Sequence, residues 1–386
     1  MDTATLRAAL ALALAAAVSL GTARFAYALL LPPMRADLGW SYFTAGAMNT
    51  VNAAGYLLGA LLLPRVLRRL DARAVMLAGG AAAAALLALQ GATRGDVLLM
   101  LLRGACGVAS AASFVGGGVL AARLATQAAG RSGQVLGLYY GGTGLGIVLS
   151  AVVVPLTGEG AGQWATAWVV LGLLSLAATL LSALGTRALT APPLPGAPLT
   201  RLALAPFTFG LLAYGLFGLG YIGYMTFIVT LLREQGLGAA MVTAFYVLLG
   251  LAVVASSFLW AGLLQRYRGG RPLATLNGLL ALATLLPVLT AHPLAVFASG
   301  ALFGGVFLSV VASTTALVRH NATPAAWASG IAAFTIVFAA GQIVGPALVG
   351  LIADGAGGLQ RALLWSAAAL ALGSVLAALQ RPLVSA

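Results

Sequence analysis

Apolar residues occur along this chain in long blocks, and polar residues fall between the blocks rather than alternating within them. The blocks lie at about 7–32, 42–63, 74–92, 97–122, 132–156, 164–186, 204–232, 239–264, 272–290, 293–318, 325–353 and 361–380. Each comes close to or exceeds the roughly 20 residues that cross hydrocarbon as a helix. Barrel strands would alternate lipid-facing and lumen-facing residues, and these blocks do not. The pattern predicts an all-α polytopic membrane protein with twelve transmembrane helices.

The Pro-rich stretch "RALTAPPLPGAPLTR" at 187–201 interrupts the blocks midway. It predicts a first half at 1–186, a linker at 187–203 and a second half at 204–386, with six blocks in each half. Similar elements recur across the linker in the same order and at nearly constant spacing. "GGTGLGIVLS" from Gly141 matches "GQIVGPALVG" from Gly341, "RGACG" from Arg103 matches "GALFG" from Gly300, and "GALLLPRVLRR" from Gly59 matches "GLLQRYRGGR" from Gly262. "MRADLG" from Met34 has its counterpart in "LREQGLG" near Leu232. Two pseudo-symmetric six-helix bundles around a midplane site are the plan of an alternating-access machine.

Composition sharpens this. The chain is 61% hydrophobic and 7% charged, against about 25% charged in soluble domains. Its net charge of +13 comes from 20 arginines and no lysine. Nucleic-acid binding does not follow, because the arginines sit in short loops. Arg65, Arg68, Arg69, Arg73, Arg123, Arg131, Arg187, Arg201, Arg266, Arg268, Arg271 and Arg319 share one side with Arg7 and Arg381 of the termini. Arg35, Arg94, Arg233 and Arg361 occupy the other, so the excess is fourteen to four. That excess predicts cytoplasmic termini and a cytoplasmic linker. The lone Cys106 excludes an intrachain disulfide. Ala8–Ala23 has the look of a signal peptide. However, apolar character resumes after Arg24, and its removal would delete one partner of the repeat.

Arg24 and Arg103 are the two arginines inside blocks. Arg24 lies eight residues before Pro32, so about 12 Å from the expected helix end and near the midplane. Tyr27 follows at i+3 on the expected same face. A buried arginine needs a partner, yet the acids Asp2, Asp37, Asp71, Asp96, Glu159, Glu234 and Asp354 all fall at block ends or in loops. The partner is then an anionic group of a substrate or an internal carbonyl or polar side chain. The same lack of buried acids argues against a proton relay or sodium site. It favours facilitated transport, anion exchange, or symport in which the substrate carries the proton. His292 and His320 fall at helix ends. Further candidates for the site are Asn49, Asn52 and Tyr56, then Tyr139 and Tyr140, the stripe Tyr214, Phe217, Tyr221 and Tyr224, and Phe334, Phe338 and Gln342. Tyr221 and Tyr224 correspond in the repeat to Arg24 and Tyr27. The substrate-site expectation is Arg24, Tyr27, Asn52, Tyr140, Tyr221, Tyr224, Phe338 and Gln342. "GLGYIG" at 218–223 imitates a nucleotide fingerprint but has no strand before it. No cofactor or metal site is predicted.

Several motifs resemble the major facilitator superfamily over essentially the whole chain. "RGACGVASA" from Arg103 resembles its fourth-helix arginine motif, and "GQIVGPALVGLIAD" from Gly341 its eleventh-helix Gly-Pro element. "GALLLPRVLRRLDAR" keeps Gly59 and the arginine cluster with Arg69 of the second-to-third helix signature, but lacks its acidic residue. "ARFAYALLLPPMRADLG" resembles the opening of the YbfB-like bacterial subgroup. The resemblance implies a bacterial inner-membrane secondary transporter, with Arg103, Gly59, Arg69, Gly345 and Pro346 in coupling or gating roles.

The expected cargo is a small organic anion of carboxylate type, met by Arg24. The alternative is an exporter of hydrophobic drugs or lipids with the same fold, in which Arg24 is structural and cationic cargo is disfavoured. An enzyme is not expected, since no nucleophile–base pair, metal cluster or carboxylate pair lies within the blocks. The expected partners are a small molecule and membrane lipid. One chain already carries both halves, so a monomer is expected.

Overall fold

The computed structural model describes residues 2–128, 131–157, 160, 162–189 and 202–383. Residues 190–201 of the expected linker, and with them Arg201, lie outside the described residues, as does Glu159. Twelve helices are long and apolar enough to span a membrane among the described residues. They are α1 (Thr3–Leu38), α2 (Tyr42–Val66), α3 (Ala72–Gln90), α4 (Asp96–Gln127), α5 (Ser132–Leu156) and α6 (Gln163–Gly185) in the first half. The second half holds α7 (Ala205–Glu234), α8 (Ala239–Arg266), α9 (Arg271–Leu289), α10 (Pro293–Asn321), α11 (Pro324–Ala353) and α12 (Gly358–Leu379).

The first span corrects an expectation. Pro32 and Pro33 do not end α1, which continues to Leu38 and closes on Gly39 in the left-handed conformation. Asp37 is therefore helical, and its carboxylate accepts from Trp164 Nε1 at 2.8 Å. The extension moves Arg24 to the middle of a longer helix.

Contacts repeat with the chain. The pairs α1–α5, α1–α6, α2–α4, α3–α4 and α3–α6 pack in the first half. Adding six to each number gives α7–α11, α7–α12, α8–α10, α9–α10 and α9–α12, and all of these pack in the second. The principal contacts between halves, α2–α11 and α5–α8, exchange under the same operation. Glycines permit the closest approaches. A Cβ on Gly142 would lie 2.0 Å from the Ala13 carbonyl oxygen, and one on Gly341 would lie 2.3 Å from that of Gly215. Gly146 meets Ala17 as Gly345 meets Leu219. In this register Arg24 corresponds with Thr226, not with Tyr221 as the sequence repeat suggested.

Polarity is arranged inside out. Leu173, Leu180 and Leu184 of α6 are exposed, while Ser19, Thr22, Asn49, Asn52, Thr226, Asn277 and Gln342 are buried. Such a surface suits lipid and not water.

Candidate functional site

Arg24 sits in a nine-residue π-helical stretch of α1, Ala17–Phe25, every residue of which is buried. The wider coil is anchored on its own half. Ser19 Oγ donates to the Ser110 carbonyl at 2.8 Å, and the Thr22 and Ser175 hydroxyls meet at 2.8 Å. π geometry shifts the donor partner, as in Ala26 N–H to the Gly21 carbonyl, and the return to α-helix leaves carbonyls to be satisfied from outside. Arg103 Nη1 donates to the Ala23 carbonyl at 3.3 Å, and the Tyr246 hydroxyl of α8 donates to that of Phe25 at 2.8 Å.

The Arg24 guanidinium reaches across to the second half. Its Nη2 donates to Oε1 of Gln342 on α11, and the Tyr221 hydroxyl of α7 donates to the same oxygen at 2.6 Å. The Tyr56 ring centroid lies 5.7 Å from the guanidinium carbon, and Arg24 Nε is buried without a partner. Among the described residues the ion pair found is Arg94–Asp37, at 3.2 Å; Arg24 has none.

Tyr221 continues into a run of rings from α7, α10 and α11. Tyr214 stacks on Phe338 at 4.8 Å, Phe338 on Phe217 at 5.3 Å, and Phe217 on Tyr221 at 4.7 Å. The run passes from Tyr221 to Phe307 at 6.0 Å, then to Phe303 at 5.8 Å and Tyr224 at 3.9 Å. Phe25 meets Phe307 edge-on at 5.7 Å. Phe338 is partly exposed within this wall.

The other expected residues lie elsewhere. Tyr27 does not share the Arg24 face, because the π stretch changes the register between them. Its hydroxyl donates to the Ala45 carbonyl at 2.8 Å, and its ring centroid lies 4.5 Å from the Arg103 guanidinium carbon. Asn52 donates to the Arg103 carbonyl at 3.0 Å. Tyr224 pairs with Ser299 at 2.7 Å inside its own half. Tyr140 is 42% exposed and packs on Tyr139 and Phe114 rather than on Arg24. Arg103 is held by Ala23, by Asn49 Oδ1 at 3.2 Å, and by the Tyr27 and Trp168 rings. Gly59 packs on Val108 and Ala111 of α4, Gly345 on Leu219, and the Pro346 carbonyl on Gly46 of α2, while Arg69 is exposed.

A family described as "Uncharacterised MFS-type transporter YbfB" matches residues 16–378. The chain belongs to this family of MFS-type transporters. No curated protein matches it in sequence. Its fold is shared by a bacterial homolog of the human lysosomal transporter Spinster, in an inward-facing, unoccupied conformation, at 13% identity and TM-score 0.70, covering 98% of this chain and 97% of that one. The nucleoside transporter NupG aligns at 16% identity and TM-score 0.73, covering 98% and 99%. Tetrameric PepTSo2 aligns at 13% identity and TM-score 0.72, covering 97% and 96%.

In this MFS-type transporter the halves are also latched at the face opposite the arginine-rich loops. Asp354, at the end of α11, accepts from Tyr42 N–H at 2.7 Å and Phe43 N–H at 2.9 Å, so it caps α2 of the other half. The Tyr42 hydroxyl donates to Glu234 at the end of α7, and Arg35 lies 3.7 Å over the Tyr42 ring. Deeper in, Asn49 donates to Thr226 at 2.7 Å and Thr50 to the Ile343 carbonyl at 2.6 Å. Glu234 reads in sequence as a loop acid and Asp354 as an acid at the end of the eleventh helix. Acids at helix ends were the available signal, but the partner half was not legible. Tyr246, Phe303, Phe307 and Trp168 were missed, since aromatics within apolar blocks carry no mark of what they meet.

Proposed function

We propose that this transporter works by alternating access on a lipophilic molecule with a neutral or acidic polar end. The observation that supports it is the aromatic wall from Tyr214 to Tyr224, which meets the Arg24–Gln342–Tyr221 group at Tyr221. A mostly aromatic and apolar lining with a few polar groups set into it is the usual make-up of a site for such a ligand. Arg24 excludes cationic cargo and offers a fork to an acidic end. A hydrophilic carboxylate is a second reading, favoured by the unpaired Nε of Arg24. The wall of rings weighs against it, because a small hydrophilic acid leaves most of that surface without contact.

The contact pattern supports residues 1–186 and 204–386 as the two moving bundles, with 187–203 as their tether. Bacterial inner-membrane location, cytoplasmic termini and a monomeric unit complete the proposal, supported by the arginine asymmetry and by the presence of both halves in one chain.

Thermal stabilisation by matched ligands tests it: a long-chain or aryl acid, its neutral amide, its amine, and a short hydrophilic acid. A ligand of the native state raises apparent stability by mass action. The acid and amide should stabilise wild type and the amine should not. Phe338→Ala should weaken acid and amide alike, about tenfold. Arg24→Ala should weaken the acid alone. Stabilisation by the short acid and not by the lipophiles overturns the proposal in favour of the carboxylate reading.

A further inference from the structure

At the arginine-rich end of α2 an apolar groove of about 380 Å³ opens between α2, α3 and α4. Leu62, Leu63 and Val66 line one wall, Val75 and Ala78 the second, and Val108 the third. Its lining reaches Gly59, seven residues before Val66, so it runs about 10 Å along the helix from the surface into the span. Leu62 and Leu70 on its lining are 46% and 53% exposed.

Arg65, Arg68 and Arg69 stand exposed beside this groove. None of their guanidinium groups makes a hydrogen bond or ion pair among the described residues. Arg73 differs, since its Nη2 donates to the Ala183 carbonyl at 2.8 Å and its Nε to Thr186 at 3.2 Å. The acid of this turn, Asp71, caps α3 by accepting from Arg73 N–H at 2.8 Å and Ala74 N–H at 3.2 Å.

The pseudo-equivalent turn between α8 and α9 is exposed but tied to the chain around it. Arg266 and Arg271 flank the Tyr267 ring at 5.7 and 5.5 Å. Asn321 donates to the Arg268 carbonyl at 2.7 Å, and Gly270 N–H to that of Gln380 at 2.8 Å. In this second turn two of the arginines lie on a ring and the backbone is tied to neighbouring segments; the first turn presents three bare guanidinium groups beside an apolar groove.

We propose that this groove holds an acyl chain of an anionic phospholipid, drawn from the leaflet on the arginine-rich side, with its phosphate on Arg65, Arg68 and Arg69. The guanidinium fork fits phosphate oxygens. Basic clusters just outside a span attract anionic headgroups, and the groove shelters chain methylenes beside them. The site is separate from the cargo site.

Native mass spectrometry tests it on the full chain, released from micelles carrying equal dioleoyl phosphatidylglycerol and dioleoyl phosphatidylcholine. Wild type should retain the anionic lipid at least about tenfold over the neutral one. Each arginine carries roughly a fivefold share, so Arg65→Gln, Arg68→Gln and Arg69→Gln together should bring the ratio close to one. Ala78→Phe, at an exposed position on the groove wall, should lower retention without lowering the melting temperature of the lipid-free protein. Arg24→Ala should leave retention unchanged, which separates this site from the cargo site. Equal retention of the two lipids by wild type overturns the proposal. So does wild-type retention by Ala78→Phe. Inorganic phosphate stabilising the protein as well as the anionic lipid overturns it too, in favour of a free-anion site.

Discussion

Arg24 and Arg103 are both arginines buried in the membrane span, and neither has a carboxylate partner among the described residues. Their surroundings differ in ownership. Arg103 is held by Ala23, Asn49, Tyr27 and Trp168, all of its own half. The hydrogen bond of Arg24 goes to Gln342, in the other half. A cation satisfied within one rigid body keeps its partners when the bodies rock. One satisfied by the opposite body must give its partner up and needs a replacement. On the function proposed above, that difference makes Arg103 an architectural residue and Arg24 the one that would exchange its partner for cargo.

The sharpest way to break the comparison is one substitution made at both positions. Lysine keeps the buried charge and removes the planar fork. At Arg103 it forfeits one of two side-chain hydrogen bonds and the fit between the Tyr27 and Trp168 rings. Thermal melting should show a loss of about 2–3 kcal/mol for Arg103→Lys. At Arg24 an ammonium still reaches one amide oxygen, so Arg24→Lys should cost less than about 1 kcal/mol. Equal losses would remove the distinction.

The next effect concerns the latch that brings the halves together around Arg24. Asp354→Ala deletes two charge-assisted bonds to α2, while Ser41 Oγ still caps that helix through Thr44 N–H at 3.1 Å. A net loss of about 2 kcal/mol shifts the balance between closed and open states of the latched face about thirtyfold. A cysteine in place of Thr50, at the α2–α11 contact, reports this through its rate of reaction with an impermeant maleimide. The native Cys106 is buried and gives little background. An unchanged rate would show that the apolar α2–α11 packing closes the face without Asp354.

What could be read in sequence, and what could not, follows the same division. The spans were legible because a lipid-facing helix must be apolar along its length, and Arg24 stood out because a charge there is costly. The link from Arg24 to Gln342 and Tyr221 was legible only as a set of candidates, since it joins residues far apart in the chain. Tyr27 was placed on the wrong face because nothing in "AVSLGTARF" marks a π stretch. Its wide coil is imposed by outside donors and by the close approach of Gly21 to Gly146, where a Cβ would come within 2.5 Å of the Gly146 Cα. Pro32 and Pro33 read as a helix end, yet the helix carries them inside and is tied down beyond them through Asp37.

The smallest effect tests whether the π stretch itself belongs to the site. Tyr246 comes from the second half, and its hydroxyl meets the Phe25 carbonyl next to Arg24. Tyr246→Phe keeps the ring and deletes that donor, at a cost of about 1 kcal/mol. If the bond only fills a vacant carbonyl, the melting temperature falls slightly and the preference for an acidic ligand over its neutral amide is untouched. If it sets the register in which Arg24 is presented, that preference falls about fivefold while affinity for the amide holds. We expect the second outcome. Contacts from α8, α10 and α11 meet the stretch at its last two residues, Arg24 and Phe25, and contacts from its own half hold the residues before them. The carbonyl of Phe25 is thus bound by the body that departs, so the geometry of Arg24 is tied to whether the two halves are together.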